Sequence, residues 1–337
     1  MTRFLTWNIN GGLDNINSRP EILQLLSKTD IIAFSHTGHL GGEGPEIDGF
    51  ECVVCTARPY KKKSGGVAVY AKVGMNVCMV KDSPEYGMAW LKIAATHKPI
   101  YVCACYMPWL DSRYFLLEGG DLCLERHWQV LRSDVSKFGH LGEVLIMGDL
   151  NARTGNLDDR LDAQYMHEWG MMQDDGVPVP SDVVDVQAQA SRVGARRNRD
   201  SGKNEHGRQL IDMCHDLGLL ILNGRMPGDP QGEFTYFRGG SNEDCHSAID
   251  YYVASPGLVF TNGVVHEASY LSVMCNEHVP LRAGGKRFDH LPVSLTLATV
   301  CQDPGKKSEG KKAEAKSVMA VWCTNGTRQT WMHTMTF

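Results

Sequence analysis

The run Val144-Leu145-Ile146-Met147-Gly148-Asp149-Leu150-Asn151 decides how the rest of the chain is read. The solid apolar block from Val144 to Met147 is the pattern of a strand buried on both faces. It ends in glycine and then Asp-x-Asn. Strand alternation puts Asp149 and Asn151 on one side if the chain stays extended. Residues just past a strand end are where open sheets present reactive groups. A carboxylate beside a carboxamide can orient a water and hold a phosphate oxygen. The same tripeptide also suits an Asx-turn that closes the strand, and both readings stand on the residues alone.

Further strand-like runs lie at 3–8, 30–35, 50–55, 66–73, 76–81, 88–96, 100–106, 143–148, 219–222, 233–237, 247–254 and 289–298. Helical spacing appears between them. Arg19 to Lys28 carries Ile22, Leu25 and Leu26, and Asp121 to Phe138 carries Leu124, Trp128, Leu131 and Val135. Gly207 to Leu217 carries Leu210, Ile211 and Cys214, with Gly218 as its stop. Strands outnumber helices, and the helices are spread along the chain. That order predicts an α/β protein of stacked sheets covered by helices, one domain over 1–299. Residues 171–205 are polar and irregular. Residues 300–337 read as a Lys-rich linker and a tail carrying Trp322, Trp331 and Phe337.

The chain has 337 residues, 42% hydrophobic and 22% charged, which excludes collagen-like, disordered and disulfide-dense classes. Its formal charge is −5, with a net +3 on 300–337 and −8 on the body, so no global basic field attracts nucleic acid. No apolar run reaches the roughly 18 residues of a membrane helix. Met1 to Trp7 runs straight into strand-like sequence, with no secretory or transit segment, so the expectation is an intracellular protein without membrane partners. The 11 cysteines, Cys78, Cys103, Cys105 and Cys214 among them, read as reduced, buried thiols. Cys52 and Cys55 form a CxxC with no second pair to complete a zinc site, and a structural role is expected.

Three more signals could carry chemistry. Phe288-Asp289-His290 pairs a carboxylate with an imidazole, which suits acid–base work. Thr6-Trp7-Asn8-Ile9-Asn10-Gly11-Gly12 ends a strand in asparagines and glycines, as either a turn or a phosphate or metal site. Asp250 interrupts the apolar run Ile249-Asp250-Tyr251-Tyr252-Val253, and a buried acid is costly without a partner. His290 is a reasonable partner.

Taken in order, Asn8, Tyr106 in Cys105-Tyr106-Met107-Pro108, Gly148-Asp149-Leu150-Asn151, Ser247-x-x-Asp250 and Asp289-His290 resemble the endonuclease/exonuclease/phosphatase superfamily. His206-Gly207-Arg208-Gln209-Leu210, Leu222-Asn223-Gly224-Arg225 and Phe234-Thr235-Tyr236-Phe237 make the chain look most like the endonuclease domain of non-LTR (LINE-type) retrotransposons. The resemblance spans about residues 3–298. It implies a four-layered α/β sandwich, two packed mixed β-sheets flanked by helices. It also implies divalent-metal hydrolysis of a phosphodiester in DNA, with Mg²⁺ or Mn²⁺ as cofactor.

Carried over by position, the resemblance assigns Asp149 to the attacking water, with Asn151 beside it. His290, oriented by Asp250, would contact the scissile phosphate, and Tyr106 the phosphate or the leaving oxygen. Asn8, His36 and Asp289 fall at the metal site. Arg192, Arg196, Arg197, Arg199 and Lys203 are candidate contacts to DNA phosphates, or a solvated loop.

Two positions depart from the family pattern. Where the family has Ile-Ile-Ala-Leu-Gln-Glu-Thr with a metal-binding Glu, this chain has Ile31-Ile32-Ala33-Phe34-Ser35-His36-Thr37. Mg²⁺ prefers hard oxygen donors, and an imidazole suits Zn²⁺ better. Glu43 and Glu46 are nearby substitutes in the sequence. Phe288 stands where the family usually has a Ser that supports the site. The function expected is therefore an endonuclease-like protein of impaired activity. The alternative is an inactive transposon-derived domain, without a metal, that binds protein or ribonucleoprotein partners in a larger complex. A phosphatase of small molecules shares the fold but not the motifs around 206–237.

Overall fold

A computed structural model describes residues 1–18, 20–56, 65–95, 98–110, 121–160, 194–237, 246–261, 264–265, 271–275, 282–283, 286–287 and 289–297. The expected linker and tail over 300–337 lie outside the described residues, as do Arg192 and Phe288.

In chain order the strands are β1 Thr2–Asn8, β2 Ile31–Ser35, β3 Phe50–Cys55, β4 Val67–Lys72, β5 Val77–Ser83, β6 Met88–Ile93, β7 Ile100–Tyr106, β8 Glu143–Asp149, β9 Leu220–Ile221, β10 Tyr236–Phe237, β11 His246–Ser247, β12 Asp250–Ala254, β13 Phe260–Thr261, β14 Val264–Val265, β15 Leu271–Cys275, β16 Arg282–Ala283, β17 Lys286–Arg287 and β18 Val293–Leu297. The helices are α1 Pro20–Ser27, α2 Asp121–Gly139, α3 Glu205–Leu217 and α4 Pro256–Val259, with 3₁₀ turns at Leu13–Ser18 and Pro84–Tyr86.

Two six-stranded sheets follow, in the orders β15-β18-β1-β2-β4-β3 and β5-β6-β7-β8-β12-β9. Both are mixed: β1 runs parallel to β2 and β7 parallel to β8, and the other pairs are antiparallel. The apolar alternation explains the layering. Phe4, Ile31, Val69, Val102, Leu145, Met147, Tyr252 and Leu295 point into one core shared by the sheets. The alternate residues Tyr101, Cys103, Ile146 and Val253 of the second sheet pack under Trp128, Leu131, Leu210 and Ile211 of α2 and α3. Leu5, Trp7, Ile32 and Phe34 of the first sheet pack under Ile22 and Leu26 of α1. This is the four-layered sandwich, with both faces of the central strands covered, which is why they read as solid apolar blocks.

Three departures from the sequence reading have physical causes. The run 247–254 is two strands, because the Thr235 hydroxyl accepts the Ile249 and Asp250 amides (3.1 Å each) and so interrupts the ladder. The edge strand β15 was not read from the sequence; five residues on a sheet edge carry little periodic signal. Cys103, Cys105 and Cys214 are buried, but Cys78 is exposed, because it lies on edge strand β5. Cys52 is also exposed and Cys55 half-buried, and both are free thiols. Among the described residues no helix is long and apolar enough to cross a membrane.

Candidate active site

The site lies where the carboxyl ends of β1, β2, β7 and β8 meet the start of β12. Gly148 allows β8 to reach it. Its φ is +147°, and a Cβ there would lie 1.9 Å from the Cys105 carbonyl oxygen of β7. Asp149 follows directly and is buried, as are Asn8, Asn151, Asp250 and His290.

The chain does not stay extended past Asp149. Asn151 turns into the left-handed region (φ 48°) and its amide donates to Asp149 Oδ1 at 2.9 Å. The Asx-turn and the reactive arrangement therefore coexist, because the turn uses one carboxylate oxygen and leaves the other to the site. Asp149 Oδ2 accepts from Asn8 Nδ2 at 2.7 Å and from Asn151 Nδ2 at 3.3 Å. It lies 3.9 Å from His290 Nε2. Asn151 Nδ2 also donates to the Met107 carbonyl at 2.7 Å, and the Met107 amide donates to the Asp149 carbonyl at 2.8 Å. Asn8 is oriented in turn by the Asn10 amide, which donates to its Oδ1 at 2.9 Å.

His290 Nδ1 lies 2.8 Å from Asp250 Oδ2. The backbone around His290 is fixed by β1 and by the segment of β10. Trp7 Nε1 donates to its carbonyl at 2.9 Å, the Leu291 amide to Thr235 O at 2.7 Å, and the Phe237 amide to Asp289 O at 2.8 Å. Tyr236 tilts against the imidazole with ring centroids 4.9 Å apart.

Burial shapes the electrostatics. Asp149 is pushed up to about 7, by burial first and then by the nearby Asp250 carboxylate, against the pull of His290 and its hydrogen bonds. Burial alone would lower His290, but Asp250, Asp149 and Asp289 together push it up to about 9. Asp250 is wholly buried, and its Oδ1 has no hydrogen-bond partner among the described residues. Ligand atoms of Asp149, Asp250 and His290 all lie within 4.8 Å of one another. Two carboxylates against one imidazole leave an excess of buried negative charge, which calls for a cation or an electrophile.

Of the residues singled out from the sequence, Asn8, Asp149, Asn151, Asp250 and His290 converge through these contacts. His36 lies at the end of β2 with φ 50°, and its ring stacks on Tyr106 with centroids 5.2 Å apart and planes 27° apart. Neither His36 nor Asp289 belongs to the three-residue group of close ligand atoms. Glu43 and Glu46 are exposed.

The basic run divides. Arg196 is corrected from surface contact to structural residue: it is only 9% exposed and donates to Thr154 Oγ1 at 2.7 Å and to Gly155 O at 3.1 Å. Arg199 pairs with Glu233 at 2.6 Å, and Arg197 and Lys203 are exposed. Sequence reading gave no role to Thr235 or Asn223, which orient the two ends of Asp250. Thr235 Oγ1 accepts the Asp250 amide, and Asn223 Nδ2 donates to its carbonyl at 3.3 Å. Their only signal was their place in the Phe234 and Leu222 motifs.

Two face-to-face mixed sheets thus carry a carboxylate, an amide and a carboxylate-held histidine at one end. The sequence matches the Endonuclease/Exonuclease/phosphatase family over residues 5–269, and the chain belongs to that family. Solved structures share the fold. The 3′-5′ exonuclease NExo from Neisseria meningitidis is 19% identical, with a TM-score of 0.54 over 88% of this chain and 99% of that one. The APE2 catalytic domain from Xenopus laevis is 15% identical, with a TM-score of 0.56 over 89% and 95%. The endonuclease domain of TRAS1, a telomere-specific non-LTR retrotransposon, is 13% identical, with a TM-score of 0.51 over 88% and 99%. Curated proteins give no match.

Proposed function

We propose that this protein is a divalent-metal-dependent hydrolase of DNA phosphodiesters. The observation that carries this reading is the placing of Asp149 Oδ2 between Asn8 Nδ2 (2.7 Å) and His290 Nε2 (3.9 Å), with His290 held by Asp250. Related folds include a NExo variant bound to a product DNA hairpin.

The donor set fits a divalent cation. Asp149 and the unpartnered oxygen of Asp250 are buried hard donors of the kind Mg²⁺ and Mn²⁺ prefer. With Asn8 and Asp289 alongside, they would hold the ion, which when bound supplies positive charge to a phosphate oxygen. The chain's own residues do the rest. Asp149, fixed by Asn8 and Asn151, orients a water and takes its proton. His290 carries a proton at neutral pH and presents Nε2 to the phosphate, stabilising charge on its oxygens. Asp250 keeps the ring in that orientation through Nδ1. Tyr106, at the end of β7, supports the phosphate or leaving oxygen.

One feature favours a second reading. The resemblance aligns His36 with the family's metal-binding Glu, and its ring stacks on Tyr106. In that reading the cleft has lost its metal, and the domain serves as a binding subunit for protein or ribonucleoprotein partners.

The deciding experiment is nicking of supercoiled plasmid with Mg²⁺, Mn²⁺ or Zn²⁺, with Asp149→Ala as control. Nicking abolished by the substitution supports the hydrolase. No nicking above that control with any of the three metals sinks it in favour of the binding subunit.

A further inference from the structure

The amino end of α3 packs directly on the site without contributing a reacting group. A Cβ on Gly207 would lie 1.9 Å from the Arg153 carbonyl oxygen, so only glycine lets the helix approach the Asp149–Arg153 loop this closely. The N-cap residue Asn204 uses its whole side chain. Its Oδ1 accepts the Gly207 amide at 2.8 Å, as a cap should. The same oxygen accepts the Arg153 amide at 2.9 Å, and its Nδ2 donates to the Asn151 carbonyl at 2.8 Å.

Two residues on, His206 is wholly buried. Trp128 Nε1 of α2 donates to its Nδ1 at 3.1 Å. That donor fixes the neutral tautomer with the proton on Nε2, which donates to the Pro108 carbonyl at 2.8 Å. Burial keeps this imidazole neutral, lowered to about 4.

Pro108 follows Tyr106 and Met107, the loop after β7. Asn151 lies in the loop after β8. The two loops are joined by Asn151 Nδ2 to Met107 O and by Met107 N to Asp149 O. The helix therefore grips both loops at carbonyls one residue from the bonds that hold Asp149.

We propose that Asn204 and His206 are positioning residues: they clamp the loops after β7 and β8 together and so set the orientation of the Asp149 carboxylate and of Tyr106. The part of this that concerns turnover rests on the hydrolase reading above, and the part that concerns loop geometry does not. A misplacement of about 1 Å from outside the reacting atoms can reduce a rate by about a hundredfold.

The test uses the full chain with Asn204→Ala and His206→Phe. Asn204→Asp keeps the cap oxygen but loses the Nδ2 donor, and His206→Gln keeps a donor for Pro108. Leu210→Ala serves as a control that weakens the same helix through its core contact. Amide hydrogen exchange should speed up about tenfold or more at Met107 and Asn151 in the first two variants, with β1 and β7 unchanged. In Leu210→Ala any acceleration should be spread over the whole domain. On a short duplex with Mn²⁺, kcat should fall about ten- to a hundredfold with KM within about twofold, and His206→Gln should recover to within about threefold of wild type.

Unchanged exchange at Met107 and Asn151 overturns the clamp, as does acceleration spread evenly over the core. Should Asn204→Ala or His206→Phe fail to fold, Asn204→Asp, which loses the Nδ2 donor to Asn151, carries the exchange measurement. Local acceleration with unchanged kcat overturns the link to the reacting group. Local acceleration in the variants, when the wild-type protein nicks nothing, leaves the clamp in place and overturns the hydrolase reading.

Discussion

The two halves of the cleft differ in what they hold. The half built on β8, β12 and the segment before β18 is closed by direct hydrogen bonds: Asp149 to Asn151, and His290 to Asp250 at 2.8 Å. The half built on β1 and β2 contributes the contact from Asn8 to Asp149 and that from Trp7 to the His290 carbonyl, while His36 turns to stack on Tyr106. In the proposed hydrolase, the first half supplies the groups that would move a proton and face a phosphate. The second is where the family resemblance places the metal.

Removing the core of the intact half should have the largest effect. Asp149→Ala should lower plasmid nicking by about a thousandfold or more, the scale of losing a central electrostatic group. Residual nicking within tenfold of wild type would show that the first half is not the reacting one.

His290→Asn and Asp250→Asn should each cost about a hundred- to a thousandfold in kcat. The double variant should be little worse than either single, because the pair acts as a unit. Additive losses would separate them.

In the other half, His36→Glu introduces a hard ligand. It should raise Mg²⁺-dependent nicking about tenfold or more, while Zn²⁺-supported activity should not rise with it. No gain would place the limitation elsewhere in the cleft.

The smallest expected effect is on stability, measured by denaturant midpoints in a chelator. His290 sits at about 9 in the folded chain against 6.5 unfolded, so its contribution is full below pH 6.5 and is lost as pH rises through 9. Asp149 is also raised, to about 7 from 3.8, so it binds its proton more tightly when folded, and stability falls as pH rises from 3.8 through 7. Both slopes point the same way. In the opposite limb His206, lowered to about 4, costs stability as pH falls from 6.5. Between about pH 4 and 6.5 the Asp149 and His206 slopes cancel, so the midpoint should be level there and fall as pH rises from 6.5 through 9. Substituting His290 should flatten that fall, and substituting His206 should remove the cancellation, so that the midpoint already falls from about pH 4.

Much of this was readable in the chain. Helices expected over Arg19–Lys28, Asp121–Phe138 and Gly207–Leu217 are observed at Pro20–Ser27, Asp121–Gly139 and Glu205–Leu217. The pairing of Asp250 with His290 was suggested by the cost of an unpaired acid in an apolar strand, and they are hydrogen-bonded. Strand β15 and the inward turn of Arg196 were not readable. An edge strand shows weak alternation, and an arginine among four other cations carries no sign that three carbonyl and hydroxyl oxygens wait for it.

The sequence by itself determined the central strands, the three longer helices and the types of reactive side chain, because periodicity and the cost of burying charge are local properties of the chain. Only the tertiary structure decided which of those side chains meet. Asn8 and Asp149 are 141 residues apart and touch at 2.7 Å. Two sheets packed face to face bring their strand ends to one rim, and that juxtaposition comes from burying their shared apolar faces, not from any spacing along the chain.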